Sequence, residues 1–388
     1  HLLTLLIVFP RVIRGLFPRW EPATGLWVGV GVLSLSSCIE PLVWACAAPY
    51  ALVGLLIMAT VAAHLRWLED EGRGWRFLSV ATTALGLVTW EFAVASAPLV
   101  VLTSWMRGRS PLRSVRDAMP QLLLLLLYLG AKIAFGSTVT PALSGPVRLV
   151  GNILYTPLLT LSPVFFDRQF LLSPLAMLLA TATLGALLLG ALRSRTRTVP
   201  GCLVAAYVPL LPVLAASGPQ QRYLYLAAPW MVLAAVAAVA ESGLSPRTRR
   251  NFVSLAVVVA LVGGANQWRF AADWKQAAAM ADRTRTSIAE AVVDPAQPVV
   301  VLNAPDRLPG WGPTRKYWVW RLGLIDGMAE RGIDVVALAH TLPFDSERLG
   351  AVPSSPVAGP DQIRQWQASG RLVVDCAGTD LCAVVPTR

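Results

Sequence analysis

Residues 169–197 read QFLLSPLAMLLATATLGALLLGALRSRTR, and this stretch decides the fold. Positions 169–192 carry no charge, and three arginines then follow within five residues (Arg193, Arg195, Arg197). As an α-helix the apolar part is about 36 Å long, enough to cross a hydrocarbon core of about 30 Å. Comparable runs recur along the first 267 residues, near 1–10, 23–37, 47–64, 76–90, 92–106, 118–136, 169–192, 199–216, 223–240 and 252–267. Together they predict a mainly α fold, a polytopic transmembrane bundle of about ten segments. Composition agrees, with 55% hydrophobic residues, only 14% charged ones and a mean hydropathy of +0.58. Soluble domains carry roughly 25% charged residues, so a single soluble domain and intrinsic disorder are both excluded for this part.

The charges order the loops. Arg11, Arg14 and Arg19 share one connection, Arg66, Arg73 and Arg76 the next on that side, and Arg107, Arg109, Arg113 and Arg116 another. Arg193, Arg195 and Arg197, and then Arg247, Arg249 and Arg250, continue the series. The intervening connections hold only Arg148, Arg168 and Arg222. By the positive-inside rule the arginine-rich loops are cytoplasmic and the C-terminal region lies outside. The net charge of +11 is therefore distributed by topology, not gathered into a nucleic-acid patch. The chain opens at His1 inside an apolar run without a charged n-region, which reads as a start within a helix and not as a signal peptide.

From Trp268 the composition becomes ordinary, so the domains are 1–267 and 268–388. Residues 269–293 form an alanine-rich amphipathic pattern. PVVVLNAP, DVVALAH, RLVVDCAG and LCAVVP read as strands, and LIDGMAERG and DQIRQWQASG as helices. That alternation predicts a small extracytoplasmic α/β domain. Cys376 and Cys382 flank a short turn there, compatible with a hairpin disulfide or with two thiols. Cys38, Cys46 and Cys202 fall in or near apolar segments and read as packing residues. The three histidines (His1, His64, His340) lack ligand spacing. No cofactor is assigned, with a divalent metal left open.

Ionisable groups at the outer helix ends are the candidates for chemistry. On this topology they are Glu40, Glu91, Lys132, Asp167, Arg168 and Arg222, near the aromatic residues Trp44, Trp90, Tyr223 and Tyr225. Runs 76–90 and 92–106 meet at Thr89-Trp90-Glu91, a hairpin whose tip carries Glu91. Each ionisable group can also be a solvated helix end, and Lys132 can snorkel to the headgroups. As a set, two acids, several cations and aromatic rings on one face suit a lipid-linked phosphate carrying a sugar. A carboxylate there can serve as general base toward an acceptor hydroxyl.

The stretches His1-Leu2, Ile39-Glu40 with Trp44, Trp90-Glu91 followed by Pro98, and Gln221-Arg222-Tyr223-Leu224-Tyr225-Leu226 occur in that order. With Asn266, Trp268, Asn303 and Asp306 further on, this order resembles the polytopic GT-C glycosyltransferases. The nearest group is that of the protein O-mannosyltransferases and tetratricopeptide-associated membrane glycosyltransferases. No repeat of about 34 residues is present. The resemblance implies an inverting transferase that moves a sugar from a polyprenyl-phosphate donor to a glycan or protein acceptor at the outer face. In that reading Arg222 and Lys132 bind the donor phosphate, and Trp44, Trp90, Tyr223 and Tyr225 line the substrate. Glu40 and Glu91 play supporting catalytic roles, with the principal base upstream of residue 1. The sequence departs from the pattern at Trp90, where relatives carry lysine, at Gln221, where they carry an acid, and at Ala47-Ala48-Pro49, which lacks a basic residue. Those departures suit a non-catalytic membrane scaffold. A lipid or solute transporter would instead need midplane charges and internal repeats.

Overall fold

Backbone amides removed from water must bond within their own segment, so long apolar runs fold as helices. The computed structural model describes residues 3–38, 48–135, 145–164, 166, 168–216, 221–241, 243, 245–304, 307–309, 316–318, 328–339, 341, 357–376 and 381–386. It divides the chain into two units, His1–Gln267 and Trp268–Arg388.

In the first unit a π-helical turn (Leu3–Val8) leads into α1 (Phe9–Leu16), which pairs with α2 (Pro22–Leu33). Arg11 and Arg14 thus lie on a helix and not in a loop, because the apolar face continues through Val12, Ile13 and Leu16. The long α3 (Ala48–Asp70) packs along α4 (Arg73–Thr89), and a 3-10 turn (Glu91–Ala95) leads into α5 (Ser96–Met106). Next come α6 (Pro111–Asp117) and α7 (Met119–Ala134), bent by 67° against each other. Residues 137–168 had no assigned span, yet they contain α8 (Pro146–Leu161). Its 16 residues are interrupted by Asn152, Thr156 and Pro157, which hid the helix from a search for long apolar runs. Helices α9 (Pro174–Arg193), α10 (Thr198–Tyr207), α11 (Leu211–Ala216) and α12 (Gln221–Glu241) complete the bundle. Finally α13 (Pro246–Ala291) joins the expected segments 252–267 and 269–293 into one helix of 46 residues.

Four helices are long and apolar enough to cross a membrane: Pro49–Asp70, Pro174–Arg193, Tyr223–Glu241 and Pro246–Ala291. The bent α6–α7 pair is a fifth if it is one span. Among the described residues the other apolar segments form shorter helices, such as Ala23–Leu33, Glu91–Met106 and Thr198–Leu214, so ten full-length spans are not reached. The last of these is divided by a 3-10 turn at Val208–Leu210, where Pro209 cannot donate to a helical ladder. The core holds Phe9, Ile13, Leu65, Leu99, Leu210 and Trp230. Outward, Leu126, Leu127, Leu178, Leu192, Leu255 and Leu261 are exposed. Leucine faces on several helices are expected of surfaces that meet lipid; a soluble monomer rarely exposes apolar patches beyond a few hundred Å².

Polar groups inside the bundle find partners across helices. Gln121 Nε2 donates to Ser79 Oγ (2.9 Å), Ser79 Oγ donates to the Thr60 carbonyl (3.0 Å), and the Thr60 and Thr82 hydroxyls meet at 2.9 Å. His64 Nε2 and Ser104 Oγ lie 2.7 Å apart.

In the second unit β1 (Val299–Leu302) runs parallel to β4 (Val335–Ala339) and to β5 (Leu372–Asp375), and β6 (Ala383–Val384) pairs antiparallel with β5. The sheet order is β4-β1-β5-β6, and β2 (Arg307–Pro309) with β3 (Lys316–Trp318) makes a separate antiparallel pair. One face packs on the C-terminal part of α13 through Ile288, together with Val292 just beyond that helix and Met328. The opposite face packs on α14 (Pro360–Ala368) through Ile363 and Trp366. Cys376 and Cys382 form a disulfide.

Candidate functional site at one end of the helical unit

Helix α3 carries Tyr50 near its start and Arg66 sixteen positions later, roughly 24 Å along the axis. Different chemistry gathers at these two positions. Around Arg66 the arginine-rich connections meet. Arg66 pairs with Glu69 (3.2 Å), Arg107 reaches Glu69 (3.7 Å), and Arg109 lies 3.9 Å from Asp117. Arg197 donates to the Arg109 carbonyl (3.1 Å) and sits over the Trp105 ring.

Around Tyr50 stands a ring cluster instead. Trp90 lies 5.2 Å from Tyr50, Tyr223 lies 5.7 Å from Tyr50, and Phe92 lies 5.2 Å from Tyr223. The chain reaches this point because α4 stops at Trp90, which is extended (φ −162°, ψ 145°). It then folds back through the 3-10 turn. Gly86 permits the return, since a β-carbon there would meet Ala93 Cβ at 2.9 Å. Beside the rings, Lys132 Nζ donates to Glu91 Oε2 at 3.1 Å and lies 5.7 Å from the Tyr128 ring centre. Both partners are open to ligand, at 51% and 62% side-chain exposure.

Of the residues expected from sequence, Trp90, Glu91, Lys132 and Tyr223 thus come to one end of the bundle. Tyr225 does not join them, because it turns into the core beside Gly54 and Leu99, next to a small cavity that Thr4 also lines. Glu40, Trp44 and Asp167 lie outside the described residues, as does Asp306 in the second unit. Arg222 is in the first turn of α12, the same turn as Tyr223, and its side chain and that of Arg168 are also outside the description. Tyr50, Phe92 and Tyr128 were not anticipated. Phe92 follows Glu91 directly and Tyr128 precedes Lys132 by one helical turn, so both could have been read from spacing.

Chemically the site offers a carboxylate, an ammonium and stacked rings. The Trp90 indole N–H adds a buried donor without an acceptor among the described residues. Among the described residues no three His, Cys, Asp or Glu side chains converge as ligands for a metal ion. Compared with protein-family models, curated proteins and solved structures, the chain matches none.

Proposed function

We propose that this protein is a multi-pass membrane glycosyltransferase that takes a sugar from a polyprenyl-phosphate donor at the outer face of the cytoplasmic membrane. The observation that carries the reading is the meeting of Glu91 with Lys132 beside Trp90 and Tyr223, at the bundle end remote from the arginines. Arginine-rich ends favour the cytoplasm, so the Glu91 end faces outward. The Cys376–Cys382 disulfide supports the same side for the C-terminal unit, since disulfides persist in oxidising compartments.

In the proposed reaction an acceptor hydroxyl attacks the anomeric carbon while the carbon–oxygen bond to phosphate breaks. Polyprenyl phosphate leaves with the bonding pair, and the hydroxyl proton passes to a carboxylate base. Lys132 and Arg222 hold the donor phosphate and offset the charge that grows on it. Rings such as Trp90 and Tyr223 stack on the sugar. Glu91 takes one of the three ammonium protons of Lys132, so a donor phosphate can engage the other protons while the Glu91 carboxylate keeps acceptor sites that orient a hydroxyl.

The non-catalytic scaffold is favoured by one fact: Lys132 is already neutralised by Glu91. The two readings separate in one experiment. The full chain in lipid nanodiscs is supplied with polyprenyl-phosphate mannose or polyprenyl-phosphate arabinose together with a glycan or peptide acceptor, and release of polyprenyl phosphate is followed. Donor-dependent release, lost in Arg222→Ala, supports the transferase. Neither release nor donor binding with either sugar leaves the scaffold.

A further inference from the structure

At the end of the bundle remote from the rings, the arginines fall into two kinds. Arg66 is paired with Glu69 and Asp70, Arg107 with Glu69, and Arg109 with Asp117. Arg73, Arg76, Arg113 and Arg116 are exposed and hold no ion pair among the described residues. Glu71, the remaining acid of these connections, is exposed and likewise unpaired, so the surplus charge is positive.

Two contacts bring the four free guanidinium groups to one place. Helices α4 and α7 run parallel, fastened near their starts by Gln121 to Ser79 (2.9 Å) and near their ends by Lys132 to Glu91 (3.1 Å). Arg73 and Arg76 precede Ser79 on α4, and α6, with Arg113 and Arg116, leads directly into α7. Both pairs therefore lie just beyond the Ser79–Gln121 bond. Every element of this region falls within 48–135, a stretch described without a gap.

Helix α6 has the form of an interfacial element. Ser110 caps it by accepting from the Arg113 N–H, and Ser114 turns inward and is buried. Leu112 and Val115 are three positions apart and share the outward face, at 82% and 40% exposure. Arg113 and Arg116, also three apart, border that apolar edge. α6 meets α7 at 67°, and α7 exposes Leu123, Leu126 and Leu127. With α7 upright among acyl chains, α6 lies closer to the membrane plane than to its normal. On α4 the same neighbours recur, since Phe77 beside Arg76 is 74% exposed.

We propose that Arg73, Arg76, Arg113 and Arg116 form a headgroup site for an anionic phospholipid, with Leu112 and Val115 seated among its acyl chains. Guanidinium groups without acid partners can grip a phosphodiester through two parallel hydrogen bonds. The apolar side chains decide the source of that phosphate. A nucleic acid or a free phosphate gives Leu112 and Phe77 nothing to bury against, whereas a lipid places chains directly beneath its headgroup. The site lies at the other end of the bundle from Glu91 and Lys132, and it does not depend on sugar transfer.

The test is native mass spectrometry of the full chain in detergent, titrated with phosphatidylglycerol or with phosphatidylcholine of the same chains. Phosphatidylglycerol should bind the more tightly. Arg113→Ala with Arg116→Ala should weaken its apparent affinity about tenfold or more. Arg113→Lys with Arg116→Lys keeps the charge and should retain part of the affinity. Arg249→Ala with Arg250→Ala removes the same charge from the exposed start of α13 and should leave the affinity nearly unchanged. All these side chains are exposed, so thermal melting of each variant should stay at the wild-type value. Equal binding of the two lipids overturns the proposal. So does an equal loss in both alanine pairs, which would mean that bulk charge alone attracts the lipid. Displacement of the lipid by millimolar inorganic phosphate, or by a short oligonucleotide, would assign the arginines to a soluble anion and overturn it too.

Discussion

Lys132 Nζ and Glu91 Oε2 stand 3.1 Å apart, joining the end of α7 to the turn between α4 and α5 across forty-one positions of sequence. The pair is more than half exposed, so its contribution to stability is about 0–1 kcal/mol. Its consequence is functional. Because Glu91 already offsets part of the ammonium charge, the net effect of Lys132 on donor binding in the proposed site should be small. Arg222 shares the first turn of α12 with Tyr223, and a guanidinium can grip phosphate through two parallel hydrogen bonds. Arg222→Ala should lower sugar transfer by roughly 30- to 1000-fold, the equivalent of about 2–4 kcal/mol of transition-state stabilisation. Lys132→Ala should cost less than Arg222→Ala in the same assay, at matched folded amounts. Near wild-type turnover in Arg222→Ala would remove that residue from the donor site.

Gly54 and Tyr225 set the distance between α3 and α12. A β-carbon on Gly54 would run into the Tyr225 hydroxyl, at the end of a rigid, buried ring. Gly54→Ala should therefore destabilise the bundle by about 1–3 kcal/mol through overpacking. The measurement is thermal unfolding in detergent. Combining Gly54→Ala with Tyr225→Phe, which removes the colliding oxygen, should recover part of the loss. A double variant no better than Gly54→Ala would mean that the ring itself, and not its hydroxyl, is the obstacle.

Where chemistry follows from chain order, the sequence was legible. The apolar runs with arginine ends fixed α3, α9 and α12, and the Thr89-Trp90-Glu91 junction marked the turn that holds the ring cluster. Strand patterning located β1, β4, β5 and β6 in the second unit. What escaped depended on packing. Helix α8 is short and partly polar, and it is held by contacts to distant segments, such as Asn152 Nδ2 to the Leu214 carbonyl (3.0 Å). Tyr225 looked like a site residue because it shares a motif with Arg222 and Tyr223. Yet a step of two positions turns a helix by about 200°, which carries Tyr225 toward the core while Tyr223 joins the rings. The bonds from Asn303 to Thr341 and Asp375 were equally hidden, since these residues approach one another only once the parallel strands are aligned.

Gln121 and Ser79 link α7 to α4 inside the bundle. Ser79 relays the bond to the Thr60 carbonyl on α3, so one hydroxyl ties three helices. Between membrane helices such bonds average about 0.6 kcal/mol and reach about 1.7 kcal/mol. Ser79→Ala should fall in the upper part of that range, because it strands the Gln121 amide in a buried position. Gln121→Leu removes the amide together with its bond and should cost less than Ser79→Ala. Comparing the two unfolding midpoints in detergent decides the matter. A costlier Gln121→Leu would show that packing, and not the hydrogen bond, dominates this contact.

Topology is the expectation on which the outer-face site depends. Cys38 and Cys202 are buried, and Cys376 is bonded to Cys382, so among the described residues no endogenous thiol is open to a bulky reagent. With Cys46, which lies outside the described residues, replaced by serine, single cysteines can be introduced against a low background. Val293 is 94% exposed in the second unit, and Arg195 lies in the arginine-rich connection between α9 and α10. In intact cells a membrane-impermeant maleimide should label Val293→Cys and spare Arg195→Cys, and permeabilisation should expose the latter. A parallel sample denatured without reductant should leave Cys376 and Cys382 unalkylated, as expected of a disulfide formed in an oxidising compartment. Labelling in the reverse order, with both of these thiols alkylated, would put the second unit in the cytoplasm. The Glu91 end would then face away from any donor presented at the outer leaflet.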